Sequence, residues 1–320
     1  VTHLDLEEQI LHYYSKVFSI CVISLILCLS FYILIFLNKN LVLKTKIITI
    51  TKGEKIENVL RKNVDNLFYL DILYFKTFYQ IKNRYKKIFI HYGDFKITKN
   101  LTPKEFLKLI SKPSNILNKI TIIEGWTQKQ LQYEIAKDFN VTKKIPYEDI
   151  IADTYYFNTN QEFDIFMKKL IQFKKEYFSN YENHPLLKKF NINEIMIIGS
   201  LIEKEGLDKL DKQNIASVIF NRLKNKMKLQ IDATVIYSLT NGNYNLNRKL
   251  LISDLKFNHP YNTYIIRGLP PKPISYVGKK TLDIIFEKNE TDFLFYFFNK
   301  SLNSHIFSKN YEEHKLKLNE

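Results

Sequence analysis

From Val17 to Leu37 the chain runs for 21 residues without a charged side chain, dominated by Ile, Leu, Val and Phe. A helix rises 1.5 Å per residue, so such a stretch is about 30 Å long and matches the hydrocarbon core of a bilayer. The sequence therefore predicts a transmembrane anchor over 17–37, preceded by a short tail over 1–16. A cleaved signal peptide would carry a shorter apolar core followed by small residues, whereas Asn38-Lys39-Asn40 follows here. Charge leaves the orientation open: Lys39, Lys44 and Lys46 flank one end and Lys16 the other, and the charge rule weakens for long translocated domains.

The rest of the chain is built to fold. With 45% hydrophobic and 14% aromatic residues over 320 positions, it is no disordered polymer. The formal charge of +15 raises nucleic acid as a partner, but the excess is almost entirely Lys. Only Arg61, Arg84, Arg222, Arg248 and Arg267 offer the guanidinium forks that phosphate and base readout favour, and they form no cluster. The two cysteines, Cys21 and Cys28, lie inside the apolar segment, so neither a disulfide nor a Cys-based metal site can serve the remainder. The seven histidines lack metal-ligand spacing, and there is no phosphate-cradling Gly loop or nucleophile elbow. No metal or cofactor is expected.

Periodicity predicts an α+β chain: the transmembrane helix, a small α+β module and a larger mixed α+β domain. In the module, Ile47–Ile50 reads as a strand, followed by a helix to about Lys62 and a second from Leu67 to Asn83. Lys87–His91 and Phe95–Thr98, split by Gly93-Asp94, read as a hairpin, and Thr102-Pro103 opens a helix through Ile110. Ser111-Lys-Pro-Ser114 reads as a linker. Beyond it, Lys119–Ile123 is a strand and Gln128–Phe139 a helix. Helices dominate from Asn193 to Tyr261, with Asp211 and Asp232 as expected helix caps, and strands near Phe293–Phe298 and His305–Ser308 close the chain.

One helix end stands out. Ile197-Ile-Gly-Ser-Leu-Ile-Glu-Lys-Glu-Gly206 finishes an apolar helix with two carboxylates, where the negative end of the helix dipole disfavours them. Glu203 follows Gly199 and Ser200 by about one turn, so small side chains on its face would leave room for a ligand. The dipole and Glu205 would both resist its ionisation, which suits a general acid. Glu205 lies about 200° around the helix and is expected to tune charge or stand in solvent.

Several segments in order then resemble one family: Ile122-Ile-Glu-Gly-Trp-Thr127, Asp153-Thr-Tyr155, Ile202-Glu-Lys-Glu205, Ala216 to Leu223, Leu229-Gln-Ile-Asp-Ala-Thr-Val-Ile-Tyr237, Tyr261-Asn-Thr-Tyr264, Gly268-Leu-Pro-Pro271, His305-Ile-Phe-Ser308 and Tyr311-Glu-Glu-His314. The chain is similar to the endolytic murein transglycosylases, the YceG-like family, over essentially its whole length. The resemblance implies a LysM-like module at 45–112 and a catalytic domain at 119–320. It implies a membrane-anchored lytic transglycosylase that cleaves nascent peptidoglycan strands between MurNAc and GlcNAc, with residues 1–16 as a cytoplasmic tail, the catalytic domain on the periplasmic side of the inner membrane and the cell-wall synthesis machinery as partner.

The resemblance places Glu203 as the catalytic acid/base. Gln230, Asp232, Thr234, Asn262 and Tyr264 fall on polar positions of the family's cleft as substrate-binding residues, while Asn221 and Arg222 are expected to be structural. One carboxyl suffices when the attacking group is the sugar's own C6 hydroxyl, unlike the paired carboxylates of ordinary glycosidases. The chain departs from the family at Ala152, Ala233, Lys272 and Val277, where Pro, Pro, Gly and Pro are usual, which bears on loop rigidity. A glycan-binding protein that has lost turnover is the competing reading, and a membrane-tethered nucleic-acid binder is a second.

Overall fold

The computed structural model describes residues 3–65, 67–158, 161–287 and 290–319. Contacts divide the chain into two compact units, Val1–Asn118 with Phe157–Gln161, and Lys119–Tyr156 with Glu162–Glu320.

The first unit opens with α1 (His3–Asn38), of which Leu11–Asn38 is apolar enough to cross a membrane, with a mean hydropathy of 3.0. Residues 11–31 are exposed, but from Tyr32 the helix joins a folded core in which Phe36 is 2% exposed. Next come β1 (Val42–Leu43), β2 (Ile47–Ile50), α2 (Ile56–Asn63), β3 (Val64–Asp65), α3 (Tyr69–Lys86), β4 (Gly93–Lys96) and α4 (Pro103–Ile110). β1 pairs antiparallel with β3, and β2 with β4, in the register Ile48↔Phe95.

The hairpin expected over 87–98 does not form. Residues 87–92 carry no strand, and β4 crosses instead to β2, where Phe95 and Ile48 are both fully buried. Pairing with the distant strand buries apolar side chains on a shared core face, which a local hairpin of exposed Lys residues cannot match. Nor is Ser111–Ser114 a free linker: Ser114 is buried and its hydroxyl donates to the Ile116 carbonyl at 2.7 Å.

The second unit contains β5 (Asn118–Thr121), α5 (Gln128–Phe139), β6 (Thr154–Phe157), α6 (Phe163–Ser179), α7 (Ile192–Glu205), α8 (Lys209–Lys224), α9 (Asp232–Thr240), α10 (Lys279–Phe286), β7 (Phe295–Asn299), β8 (Ser304–Ser308) and α11 (Tyr311–Leu318). β5 pairs with β6 and β7 with β8. α7 is the central helix. Asn191 and Glu194 form its capping box, and every residue from Ile195 to Ile202 is buried, which explains an apolar run without a polar face. Against it pack Ile215 and Ile219 of α8 and Leu282 and Ile285 of α10.

An extended segment, 274–278, lies along α7. The Ile274 amide donates to Ser200 Oγ at 3.0 Å, and a Cβ on Gly199 would stand 2.6 Å from Val277 Cγ1. The same segment exchanges main-chain bonds with 125–126, Gly125 to Tyr276 at 2.8 Å and Tyr276 to Trp126 at 3.1 Å, and accepts from Ala152 at Val277. Gly199 and Ser200 therefore admit the protein's own backbone and leave no ligand space beside Glu203. Two expected caps also move. Asp208, not Asp211, caps α8, and Ile231 precedes α9 while Asp232 is its first residue.

Candidate active site

The last turn of α7 sends its two carboxyls to different neighbours because residues two apart on a helix face nearly opposite ways. The Glu203 side chain is 2% exposed, its Oε2 lying 2.5 Å from Lys212 Nζ of α8 and its Oε1 accepting from the Gly278 amide at 2.9 Å. Lys212 also donates to Thr281 Oγ1 at 2.9 Å. One ion pair thus ties the end of α7 to the starts of α8 and α10. A depression of about 470 Å³ lies outside it, lined by Asp208, Lys209, Lys212, Thr281, Asp283 and Glu287. Glu203 is absent from that lining, and its charge is matched by an ammonium. These contacts enclose the Glu203 carboxyl between Lys212 and Gly278, where an open trench had been expected beside it.

Glu205 occupies the setting that had been expected for Glu203. The residue keeps partial solvent access, yet its carboxyl lies among α9 and β7: Ala233 N donates to Oε1 at 3.4 Å and Tyr296 Oη to Oε2 at 3.5 Å. Both bonds are near the limit of hydrogen-bond reach, so they restrain the carboxyl without saturating it. Burial, aided by the negative charge of Asp232, pushes its pKa up to about 7 against the opposing bonds from Ala233 and Tyr296 and the Lys204 charge. The Glu205 carboxyl is therefore not a solvated helix end. The Tyr296 hydroxyl is itself held protonated by burial and by the Glu205 charge.

Around Glu205 the expected site residues separate into two groups. Asp232 and Gln230 are exposed, and Tyr264 is half-buried with its hydroxyl donating to Asp232 Oδ1 at 2.7 Å. Gln230 has φ +53 and is held from behind by Arg222, whose Nη1 lies 3.3 Å from Gln230 Oε1. Thr234 and Asn262 have no exposed surface. Thr234 Oγ1 bonds the Ile231 carbonyl at 2.6 Å and Thr263 Oγ1 at 2.9 Å, while the Asn262 amide donates to the carbonyls of Leu255 at 3.1 Å and Phe257 at 2.8 Å. Their polar atoms are spent on the loop, so the expectation that they face substrate does not hold in this structure. Buried groups of this kind shape the backbone that presents their neighbours.

The supporting contacts are largely invisible in the sequence. Thr263, fully buried, accepts from the Ile231 amide at 2.9 Å and accepts from Gln230 through its carbonyl at 3.1 Å, zipping the loop before α9 to the 262–264 turn. Arg222 bonds the carbonyls of Leu229 at 2.7 Å and Leu294 at 2.6 Å, and Asn221 those of Thr291 and Phe293, which fixes the approach to β7. Their expected structural role agrees with these contacts. His305 of β8 pairs with Asp211 at 2.9 Å and stands edge-on to Tyr296 with ring centroids 5.4 Å apart. Tyr296 was the residue that sequence reasoning missed, because no local signal marks one tyrosine of an aromatic strand as the partner of a helix end 91 positions earlier.

The Glu205 carboxyl, met by a phenolic hydroxyl and a helix-start amide, lies beside the exposed side chains of Gln230 and Asp232. The chain belongs to the YceG-like family, whose profile matches residues 48–320. It is 35% identical over 190 residues to an endolytic murein transglycosylase of Bacillus subtilis, covering 58% of this chain and 51% of that protein. Against an endolytic murein transglycosylase of Streptococcus pneumoniae it is 21% identical over 269 residues, 69% of this chain and 49% of the other. The chain thus spans about half the length of these curated relatives. A crystal structure of a putative YceG-like protein from Listeria monocytogenes shares the fold, with a TM-score of 0.53 at 22% identity over 85% of this chain and 98% of that one.

Proposed function

We propose that the chain is a membrane-tethered lytic transglycosylase that cleaves peptidoglycan glycan strands internally, with Glu205 as its proton-transfer group. The observation that carries the reading is the Glu205 carboxyl held by the Ala233 amide and the Tyr296 hydroxyl beside the exposed Asp232 and Gln230, a setting whose burial pushes its pKa up to about 7, in a chain whose curated relatives are endolytic murein transglycosylases. Protonated Glu205 donates to the glycosidic oxygen between MurNAc and GlcNAc as that bond breaks. The resulting carboxylate accepts the proton of the MurNAc C6 hydroxyl as its oxygen closes on C1. The product is a 1,6-anhydro end, no water is consumed, and the carboxyl returns protonated. One residue acts as acid and then as base, which is most effective when its pKa lies near the working pH.

Tyr296 fits a role in steadying the transient carboxylate, and Gln230, Asp232 and Tyr264 one in meeting sugar hydroxyl and N-acetyl groups. The order β2, α2, α3 and β4, with β2 and β4 paired and only the two-residue β3 between the helices, supports the LysM-like reading of 45–112 as a glycan-holding module. The apolar α1 supports tethering, with the catalytic unit on the extracytoplasmic, periplasmic side where new glycan strands meet the synthesis machinery.

The test is the full chain incubated in detergent or vesicles with purified peptidoglycan, followed by mass analysis of the fragments. Anhydro-ended fragments that disappear in Glu205→Gln and persist in folded Glu203→Gln agree with the assignment. Glycan retention without fragments from the unmodified chain identifies a binder, and unchanged turnover in Glu205→Gln removes Glu205 from the chemistry.

A further inference from the structure

Asp211 and His305 form a buried pair that the proposed chemistry does not use. Their side chains are 9% and 6% exposed, and His305 Nδ1 lies 2.9 Å from Asp211 Oδ2 and 3.1 Å from Oδ1. A carboxylate only accepts, so the ring donates from Nδ1. Burying such a pair costs desolvation that an apolar pair of the same volume would avoid, which points to a use beyond packing.

The use lies in what each partner holds. Asp211 stands in the first turn of α8, and its Oδ2 also accepts from the Leu207 amide at 2.9 Å, two residues beyond Glu205. His305 stands on β8 opposite Phe298 of β7, and Tyr296 stands opposite Phe307. Residues opposite each other, and residues two apart on one strand, share a face, so Tyr296, Phe298, His305 and Phe307 line one side of the hairpin. The His305 ring meets Tyr296 and Phe298 there with centroids 5.4 Å away in each case.

These contacts close a circuit around the acid. Leu207, just past Glu205, is fixed to Asp211, Asp211 holds His305, His305 packs edge-on against Tyr296, and the Tyr296 hydroxyl returns to Glu205 Oε2 at 3.5 Å. The last contact is at the limit of hydrogen-bond reach, so a small outward shift of β7 breaks it. Asn221 and Arg222 hold the chain at Thr291, Phe293 and Leu294, before β7, whereas the Asp211 contact holds the returning strand.

We propose that His305 is a positioning residue for the Glu205 site: through its bond to Asp211 it seats β8, and with it Tyr296 on β7, within hydrogen-bond distance of the Glu205 carboxyl. The inference rests on the reading of Glu205 as the proton-transfer group. Burial raises the Glu205 pKa, the Asp232 charge adds to it, and the bonds from Ala233 and Tyr296 and the Lys204 charge oppose it, while Arg222, Asp232 and Tyr264 face Tyr296 itself. Losing the Tyr296 bond alone therefore raises the pKa further and takes a donor from the carboxylate formed during the reaction.

The test assays the full chain in detergent on purified peptidoglycan, per folded molecule, for His305→Asn, His305→Gln, Tyr296→Phe and the last two combined. Asn carries its amide nitrogen where His has Nδ1 and Gln carries it where His has Nε2, so only His305→Asn keeps the bond to Asp211. His305→Gln is expected to lower kcat by at least about fivefold, the scale of one weak hydrogen bond to a charged group, with KM unchanged and the alkaline limb moved to higher pH. His305→Asn restores both, and His305→Gln adds nothing to Tyr296→Phe because the two act through one contact. Normal kcat and limb in folded His305→Gln, equal losses in both substitutions of His305, or additive effects in the double variant overturn the proposal and leave Glu205 in its role. Unchanged turnover in Glu205→Gln removes the reading beneath it. Asp211→Ala, which takes away the other partner, repeats the His305→Gln result and serves where that variant does not fold. If neither folds, the pair holds the unit as a whole and the proposal falls.

Discussion

Glu203 and Glu205 leave the last turn of α7 toward different partners: the first lies 2.5 Å from Lys212, the second reaches Tyr296 at 3.5 Å. A helix turns about 200° between them, so the same acidic string feeds a packed three-helix junction on one side and a partly open site on the other. Neither carboxyl can replace the other without remaking the unit.

Removing the proton donor should abolish turnover selectively. Glu205→Gln keeps the shape of the side chain and is expected to lower kcat by at least about a hundredfold, the usual scale for a general acid. Fragment release followed against pH in the unmodified chain should fall on an alkaline limb near pH 7, where Glu205 loses its proton. A limb placed near pH 4 to 5 would contradict the assignment.

The same carboxyl should leave a mark on stability. Its pKa rises from 4.5 to about 7 on folding, so between those values the unfolded chain releases a proton that the folded chain keeps. Stability contributed by this group is complete below pH 4.5 and falls as pH rises, by up to about 3 kcal/mol above pH 7. Urea unfolding at pH 5 and pH 8 should therefore show a steeper loss for the unmodified chain than for Glu205→Gln.

Breaking the other pair should cost stability first. Glu203→Gln leaves the Lys212 ammonium, 18% exposed, without its counter-charge, and a loss of about 3 kcal/mol is expected. Adding Lys212→Met should restore most of it. Turnover per folded molecule should stay within about threefold of normal, because the energy at stake is packing and not proton transfer. Denaturation midpoints and active-site titration together check this.

Asp232 raises the pKa of Glu205 through its charge. Asp232→Asn removes that charge and should move the alkaline limb of kcat to lower pH, by somewhat under one unit for an interaction partly screened by water. Tyr264→Phe, which removes the hydroxyl 2.7 Å from Asp232 but no charge, should not shift the limb in that direction.

Asn262 offers a contrast within the same segment. Its amide makes two buried bonds to main-chain carbonyls, so Asn262→Ala should destabilise the second unit by about 2 kcal/mol. A raised KM in a fully stable variant would show instead that the side chain meets substrate.

The sequence by itself determined the apolar helix, the α+β character, the helix of residues 192–205 and the acidic pair at its end, because periodicity, capping residues and motif order are local properties. It also carried the family. What only the tertiary structure decided is which neighbours each carboxyl meets. Lys212 and Gly278 converge on Glu203, and Ala233 and Tyr296 on Glu205, from elements 9 to 91 positions away, as the widest of these bonds shows. The pairing of β4 with β2, the filling of the Gly199 notch by Val277 and the burial of Thr234 and Asn262 have the same origin. A side chain's protonation and access depend on desolvation and on charges brought near by folding, and those are set by packing between segments that the order of residues does not place side by side.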